Sequence, residues 1–128
     1  MKVLLIDDSR TMRNIQKNVL KTFCEHECVE AGDGVEGLAA VAANPAGFDL
    51  ILVDWNMPNL DGLSFVKKFR ETNKSTPVIM VTTEAEKTRI IDAIKAGVNN
   101  YVVKPFTPDS LLERIKQTLE KAKTAVAA

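Results

Sequence analysis

Short apolar runs alternate with segments of helical period along the chain, and this alternation constrains the fold more than any other feature. The segments between the runs, and one after the last, repeat apolar residues at spacings of three and four, which is typical of one helix face. The alternation predicts an α/β fold: a doubly wound, five-stranded parallel sheet with five helices on its two faces. The predicted strands are residues 3–6, 28–31, 50–53, 78–81 and 101–103.

Residues that start or stop helices mark several predicted boundaries. Ser9 is a predicted N-cap of the first helix, and Thr107 caps the last, with Pro108 at its first position. Gly97 suits the end of the fourth helix. The predicted apolar face of the first helix is Met12, Ile15, Val19 and Phe23, and that of the fourth is Ile90, Ile91 and Ile94.

Composition excludes several classes of protein. Lys and Arg together number 17, as do Asp and Glu, so the formal net charge is zero. A general nucleic-acid binder usually has a basic excess. No apolar run approaches the length of a membrane span, and the N-terminus does not resemble a secretory signal. We therefore expect one cytoplasmic domain over residues 1–128, monomeric and without a nucleic-acid or membrane partner.

Polar side chains follow four of the five predicted strands. Asp7 and Asp8 follow the first strand, Asp54 the third, Thr82 the fourth and Lys104 the fifth. In open α/β sheets ligands bind at the carboxyl ends of the strands, so these side chains are expected to share one rim. The second strand carries no comparable group, which favours an edge position. Each residue alone is more often a cap or a surface group, so the convergence carries the prediction.

The residue types at this rim favour phosphoryl chemistry. Three carboxylates that lie close together raise one another's pKa unless a cation joins them. Oxygen ligands suit Mg²⁺, and an aspartate can itself accept a phosphoryl group. A lysine and a hydroxyl would suit the remaining phosphoryl oxygens. Because the chain has no Gly-rich phosphate loop, we expect a small molecule or a partner protein, rather than ATP, as the phosphoryl donor.

Several motifs resemble one known family. Asp7-Asp8, the segment from Asp54 to Gly62, Thr82 and the segment from Tyr101 to Phe106 are similar to the receiver domain of two-component response regulators. The resemblance covers essentially the whole chain and is greatest to single-domain chemotaxis regulators of the CheY type. It implies a flavodoxin-like sheet with strand order 2-1-3-4-5.

The resemblance also implies the roles of the acidic residues. Asp54 would accept the phosphoryl group from a phosphohistidine of a sensor histidine kinase. The side chains of Asp8 and Asp54 and the backbone carbonyl of Asn56 would ligate Mg²⁺, whereas Asp7 would act mainly through metal-bound water. The chain would be a signalling switch that catalyses only its own phosphotransfer and dephosphorylation, not an ordinary enzyme.

Further family positions supply the phosphate contacts and the switch. Lys104 would pair with the acyl phosphate, and Thr82 would donate its hydroxyl to a phosphoryl oxygen. The peptide between Lys104 and Pro105 is expected to be cis. On phosphorylation Tyr101 would rotate inward, into space that Thr82 vacates.

The same resemblance predicts an output surface made of the fourth helix, fifth strand and fifth helix. Lys87, Ile90, Tyr101 and Lys116 would lie on it, and a downstream protein such as a motor switch component would bind there. Asn56 and Glu84 occupy positions that set the rate of self-dephosphorylation, and their polar character favours a short-lived signal. A phosphatase is a further candidate partner.

Several alternatives remain open from the sequence. The chain could be a phosphorelay intermediate that passes its phosphoryl group to a histidine phosphotransfer protein, or a receiver that regulates another effector. An aspartyl phosphatase would need a second Asp two residues after the nucleophile, where this chain has Asn56. A flavin-binding flavodoxin is disfavoured because two acids after the first strand would repel a phosphate. Cys24, His26 and Cys28 lie close in sequence, but their spacing matches no common metal or redox motif.

Overall fold

The chain forms one parallel sheet with helices on both faces. The computed structural model describes residues 1–23 and 25–127, with side chains as far as residue 122. The strand order is β2-β1-β3-β4-β5, which confirms the predicted fold and places β2 at an edge. The strands are β1 (Lys2–Ile6), β2 (Glu27–Ala31), β3 (Leu50–Val53), β4 (Val78–Thr82) and β5 (Asn100–Val103). The helices are α1 (Arg10–Phe23), α2 (Gly34–Ala43), α3 (Gly62–Arg70), α4 (Lys87–Ala96) and α5 (Pro108–Ala127).

The sheet separates two apolar cores. Strands β3 and β4 are buried along their whole length, as expected of parallel strands covered on both sides. Alternate side chains of β1 enter opposite cores: Leu4 packs on the side of α2, α3 and α4, whereas Leu5 packs on the side of α1 and α5. The two cores clamp the central strands, so the carboxyl ends of those strands form a rigid rim.

The predicted helix boundaries at capping residues are confirmed. The Ser9 hydroxyl accepts a hydrogen bond from the Met12 N–H at 3.2 Å, and the Thr107 hydroxyl accepts one from the Ser110 N–H at 3.0 Å. Gly97 ends α4 with a φ of 116°, a left-handed conformation that glycine adopts without strain. None of the described helices is long and apolar enough to span a membrane.

The predicted apolar faces of α1 and α4 are partly wrong. Helix α1 buries Gln16, Val19 and Leu20, whereas Ile15 is 38% exposed. Two overlapping sets of residues in α1 satisfy helical spacing, and the one that packs on the sheet includes an amide. Helix α4 contacts the core through Ala93 and Ile90, whereas Ile91 and Ile94 are 42% and 48% exposed. Helix α4 therefore presents apolar surface to solvent.

Candidate functional site

Three carboxylates meet where β1 and β3 end side by side. Ile6 pairs with Val53 in the sheet, so Asp7 and Asp54, the next residues along each strand, become neighbours. One carboxylate oxygen from each of Asp7, Asp8 and Asp54 lies within 4.8 Å of the others. Asp7 and Asp54 are buried, whereas Asp8 is exposed. The predicted acidic cluster is therefore formed, and Asp8 is its solvent-facing member.

Lys104 supplies the cation that faces these acids. Its ammonium lies 2.9 Å from Oδ2 of Asp7 and 3.2 Å from Oδ2 of Asp54. Its backbone N–H donates to the Thr82 carbonyl at 2.8 Å, which fixes the start of the segment after β5. The peptide between Lys104 and Pro105 is cis, as the resemblance implied. The structure thus brings together the side chains of Asp7, Asp8, Asp54 and Lys104, and it places the Thr82 backbone against that of Lys104.

Burial dominates the electrostatics of Asp7, which is 1% exposed. Desolvation raises the pKa of its carboxyl group, and hydrogen bonds from the Ser9 N–H and the Lys104 ammonium only partly oppose that rise. The nearby Asp54 carboxylate raises the pKa further. A second cation at this cluster would relieve the same repulsion.

The donor set fits a hard divalent cation. Three carboxylate oxygens within 4.8 Å of one another offer the ligands that Mg²⁺ prefers, and the exposed Asp8 leaves room for water ligands. The single positive charge of Lys104 does not balance three carboxylates. Among the residues that the structure describes, this is the one group of three or more potential metal ligands, so His26 and Cys28 belong to no such group. Cys24 lies outside the described residues.

The loop after Asp54 is held close to the strand end. The Gly62 N–H donates to the Trp55 carbonyl at 2.8 Å, and a Cβ on Gly62 would lie 1.9 Å from the Asp54 carbonyl oxygen. Asn59, with a φ of 67°, donates through its side chain to Asp33, the N-cap of α2, at 2.7 Å. These contacts fix the loop that carries Asn56.

Sequence reasoning did not single out Asp33 or Asn59. An Asn between Pro58 and Gly62 was nevertheless a usable signal, because Asn is one of the few residues that tolerate a left-handed backbone. Trp55, the residue after Asp54, is 3% exposed. The guanidinium of Arg89 lies 5.3 Å from the centre of its ring.

A chain of contacts links this loop to the predicted switch residues. The Asn56 side chain donates to the Glu84 carboxylate at 3.0 Å, and the Tyr101 hydroxyl donates to the Glu84 backbone carbonyl at 2.6 Å. Thr82 is fully buried, and its hydroxyl oxygen lies 3.4 Å from the Glu84 nitrogen. The Tyr101 ring, which was expected to rotate inward only on phosphorylation, already lies in this buried position with 8% exposure.

The remaining predicted output residues are dispersed. Lys87 is exposed at the start of α4, and Ile90 is partly buried against the core. The Lys116 ammonium instead lies 5.7 Å from the ring centre of Phe23 on α1, so its charged end is engaged with that helix. Lys87 and Ile90 both belong to α4, and Ile90 packs against the core cluster that includes Tyr101 of β5, whereas Lys116 contacts α1.

Comparison with known proteins decides the family. The sequence pattern of the response regulator receiver domain matches residues 3–116. The chain belongs to the response regulator receiver family. The receiver is 49% identical to the chemotaxis protein CheY1 of Helicobacter pylori over 121 residues, which cover 93% of this chain and 97% of that protein. The flavodoxin and phosphatase alternatives are thereby set aside.

Solved receiver structures share the fold. A CheY-like receiver domain protein from Methanospirillum hungatei superposes with a TM-score of 0.87 at 28% identity, covering 97% of each chain. The chemotaxis response regulator CheY4 of Vibrio cholerae superposes with a TM-score of 0.82 at 37% identity, covering 91% of this chain and 97% of that one. Receivers of this kind are signalling switches rather than metabolic enzymes, and they work with a histidine kinase and downstream targets.

Proposed function

We propose that this receiver takes a phosphoryl group from a phosphohistidine of a sensor histidine kinase onto Asp54, and that the phosphorylated form binds a downstream chemotaxis or motility protein. The arrangement of Asp54 supports the proposal best. Its carboxylate follows β3 directly, remains 11% exposed, and has the Lys104 ammonium 3.2 Å from one oxygen. A largely buried nucleophile that keeps a small exposed area beside a fixed cation suits transfer to an incoming phosphoryl group.

The transfer needs little covalent chemistry from the protein. One Asp54 oxygen forms a bond to phosphorus while the bond from phosphorus to the donor imidazole breaks, and its electron pair remains on that nitrogen. The Trp55 N–H, which donates to Oδ1 of Asp54 at 2.7 Å, fixes one carboxylate oxygen and orients the other. Lys104 then pairs with the acyl phosphate, and the Thr82 hydroxyl donates to a phosphoryl oxygen.

The carboxylates of Asp8 and Asp54, with the backbone carbonyl of Asn56, would hold Mg²⁺, while Asp7 would act mainly through bound water. When bound, Mg²⁺ would neutralise charge on the carboxylates and on the phosphoryl oxygens. The burial of Asp7 supports its indirect role, because its second oxygen is already taken by Lys104 at 2.9 Å. Asp8 is the exposed carboxylate of the cluster, so its oxygens are accessible to the cation.

Output would follow from negative charge added at the acidic cluster. Phosphorylation adds about −1.5 to −2 charge at pH 7. Thr82 would move toward that charge and draw the Glu84 segment with it, and Tyr101 is bonded to that segment. The surface of α4, β5 and α5, including Lys87 and Ile90, would change shape for the partner. A bias of a few kcal/mol is enough to shift such an equilibrium.

The lifetime of the signal would depend on the bond between Asn56 and Glu84. Their side chains meet at 3.0 Å, and Asn56 lies two residues after Asp54, so together they would control access to the acyl phosphate from one side. We propose that their polar character admits the hydrolytic water and keeps the signal short. A partner phosphatase would act at the same opening.

Incubation with acetyl phosphate and Mg²⁺, followed by intact-mass measurement, tests the phosphoacceptor. The wild type should gain one phosphoryl group, and Asp54→Asn should gain none. Asp109→Asn, a change at an exposed carboxylate at the start of α5, is the matched control and should behave as wild type. The proposal fails if the wild type gains no mass or if Asp54→Asn still gains it.

Affinity capture with the phosphorylated protein distinguishes the output pathways. A motor or effector protein supports the chemotaxis proposal, which the names of the relatives favour. A histidine phosphotransfer protein as the sole partner would identify a phosphorelay intermediate instead, and a different effector would identify a regulator outside motility. The cytoplasmic location, the monomeric state and a single domain over residues 1–128 stay predictions from the sequence.

A further inference from the structure

Asp7 has a partner for each of its polar groups. Its N–H donates to the Ala31 carbonyl at 3.1 Å, and its two carboxylate oxygens accept from the Ser9 N–H and the Lys104 ammonium. Its backbone carbonyl accepts a hydrogen bond from Nη1 of Arg13, one turn into α1. The last contact differs from the others because it fixes the peptide that follows Asp7.

That peptide joins Asp7 to Asp8. Because a peptide unit is planar, holding its carbonyl also sets the direction in which the chain enters Asp8. The Asp8 side chain is exposed, and the hydrogen bonds among the described residues include none to its carboxylate. Its position therefore depends on its backbone, and Arg13 is a side chain that holds this backbone.

Arg13 is itself held by Glu30 of β2. Nε of Arg13 lies 3.0 Å from Oε1 of Glu30, while Oε2 of Glu30 lies 3.1 Å from the Lys17 ammonium. The Arg13 side chain is 16% exposed and that of Glu30 is 35% exposed, so the guanidinium is the better buried end of the pair. Although burial alone would raise it, the bonds from Arg13 and Lys17 hold the pKa of Glu30 below its usual value.

The pairing also answers an electrostatic objection. An unpaired guanidinium beside a cation site would repel the incoming ion. Glu30 accepts from Nε of Arg13 while Nη1 donates to the Asp7 carbonyl, so the guanidinium can hold that carbonyl with its own charge offset. The edge strand β2, which carries no rim carboxylate, thereby contributes to the rim through Glu30.

We propose that Arg13 is a positioning residue for cation binding: it fixes the peptide between Asp7 and Asp8 so that the Asp8 carboxylate faces the site, and Glu30 holds Arg13 in place. This inference rests on the proposed function, since it assumes that Mg²⁺ binds at this cluster. It gives Arg13 no contact with the ion or with the phosphoryl group.

Calorimetric titration with Mg²⁺ alone tests the inference. Residues that orient metal ligands commonly contribute about 10- to 100-fold to affinity, so Arg13→Met should weaken Mg²⁺ binding about tenfold or more. Arg13→Lys should also weaken it, because one ammonium cannot span the Asp7 carbonyl and Glu30 as the guanidinium does. Lys21→Met removes one positive charge from the same helix and should leave the affinity within about twofold of wild type.

Phosphorylation by acetyl phosphate supplies a second readout. In Arg13→Met the Mg²⁺ concentration at half-maximal rate should rise with the dissociation constant, while the rate at saturating Mg²⁺ stays within about twofold of wild type. A merely structural loss would instead lower the rate at every Mg²⁺ concentration, and that outcome would overturn the inference. So would an unchanged Mg²⁺ affinity in a folded Arg13→Met or Arg13→Lys variant.

Glu30→Gln provides an independent variant if Arg13→Met does not fold. It keeps the shape of the side chain and does not alter residue 13, but it removes the negative charge that holds the Arg13 guanidinium, and it should weaken Mg²⁺ binding severalfold. Unchanged Mg²⁺ affinity in Glu30→Gln would contradict the proposal that Glu30 of β2 holds Arg13 in position. If the wild-type protein binds no Mg²⁺, the proposed function itself is contradicted. If the wild type binds Mg²⁺ and the variants bind it equally well, only the Arg13 inference fails.

Discussion

The Tyr101 hydroxyl donates a 2.6 Å hydrogen bond to the backbone carbonyl of Glu84, and this bond joins β5 to the segment between β4 and α4. Glu84 also accepts from Asn56 through its side chain. One residue therefore contacts both the loop after Asp54, the proposed phosphoacceptor, and the aromatic residue proposed to report phosphorylation. Movement of either loop must lengthen or shorten one of these bonds.

Titration of Tyr101 should show whether this inward position is the dominant one in solution. Desolvation, with the charges of Glu84 and Asp54, raises the pKa of its hydroxyl to about 12. Tyr101 is the single tyrosine of the chain, so absorbance near 295 nm follows it alone. We expect a midpoint near 12, and a midpoint near 10, the ordinary tyrosine value, would show an outward ring. Because the folded state retains the proton longer, stability should fall as the pH rises from about 10 toward 12.

Mg²⁺ should raise the thermal stability of the folded protein, and Asp8 should be necessary for most of that effect. A ligand at 100 times its dissociation constant adds about 2.7 kcal/mol to the free energy of unfolding. Asp8→Asn removes the exposed carboxylate from the cluster and should abolish most of the gain. Asp92→Asn, on exposed α4, should keep it. Equal Mg²⁺-dependent shifts in the two variants would place the ion elsewhere.

Lys104→Ala should separate phosphorylation from output. This variant retains the Asp54 carboxylate and the other acids of the cluster. Acetyl phosphate should therefore still add a phosphoryl group, which intact-mass measurement detects. The acyl phosphate would lose its cationic partner, and binding of the captured downstream protein should fall. Lys67→Ala, on the exposed face of α3, is the control. Partner binding at the wild-type level in Lys104→Ala would contradict the signalling role of this lysine.

Asn56 and Glu84 should act on dephosphorylation as a pair. Because their side chains are bonded at 3.0 Å, the effects of Asn56→Ala and Glu84→Ala on the decay rate of the acyl phosphate should not add in the double variant. The decay is followed after removal of the phosphoryl donor. Strictly additive effects would show that the two residues act separately, and a wild-type acyl phosphate that lasts many hours would contradict the proposed short signal.

Gly62→Ala should destabilise the fold severely. Its Cβ would lie 1.9 Å from the Asp54 carbonyl oxygen, which is part of the backbone and cannot turn aside. We expect a loss of about 3 kcal/mol or more, measured by urea unfolding. Gly47→Ala has no atom within 4 Å of the new Cβ and would show only the backbone cost of its left-handed φ of 88°, about 1–2 kcal/mol. Equal losses would mean that the close approach to Asp54 is not decisive.

The sequence predicted those parts of the site that depend on the ends of strands. Asp7, Asp54 and Lys104 each follow an apolar run directly, and parallel pairing then brings them to one edge whatever the details of packing. Strand β3 was predicted at its observed bounds for a related reason, since burial on both faces leaves a continuous apolar run.

The sequence was less informative where several arrangements satisfy the same pattern. The buried face of α1 was misplaced because helical spacing did not distinguish Ile15 from Gln16. Which of the two is buried depends on how the helix packs on the sheet. Contacts between distant polar side chains, such as Arg13 with Glu30, left no periodic signal. The inward position of Tyr101 depends on a backbone carbonyl in another loop, which no local pattern records.

Lys104 and Asp7 form their ion pair across 97 positions of the chain. A newly made chain therefore carries the acids of β1 and β3 long before the lysine that opposes them is available. Until β5 joins the sheet, the acids lack this cation, and the pocket that would accept a phosphoryl group is incomplete. Lys104 therefore begins to offset the repulsion among these carboxylates only when the last strand of the sheet is in place.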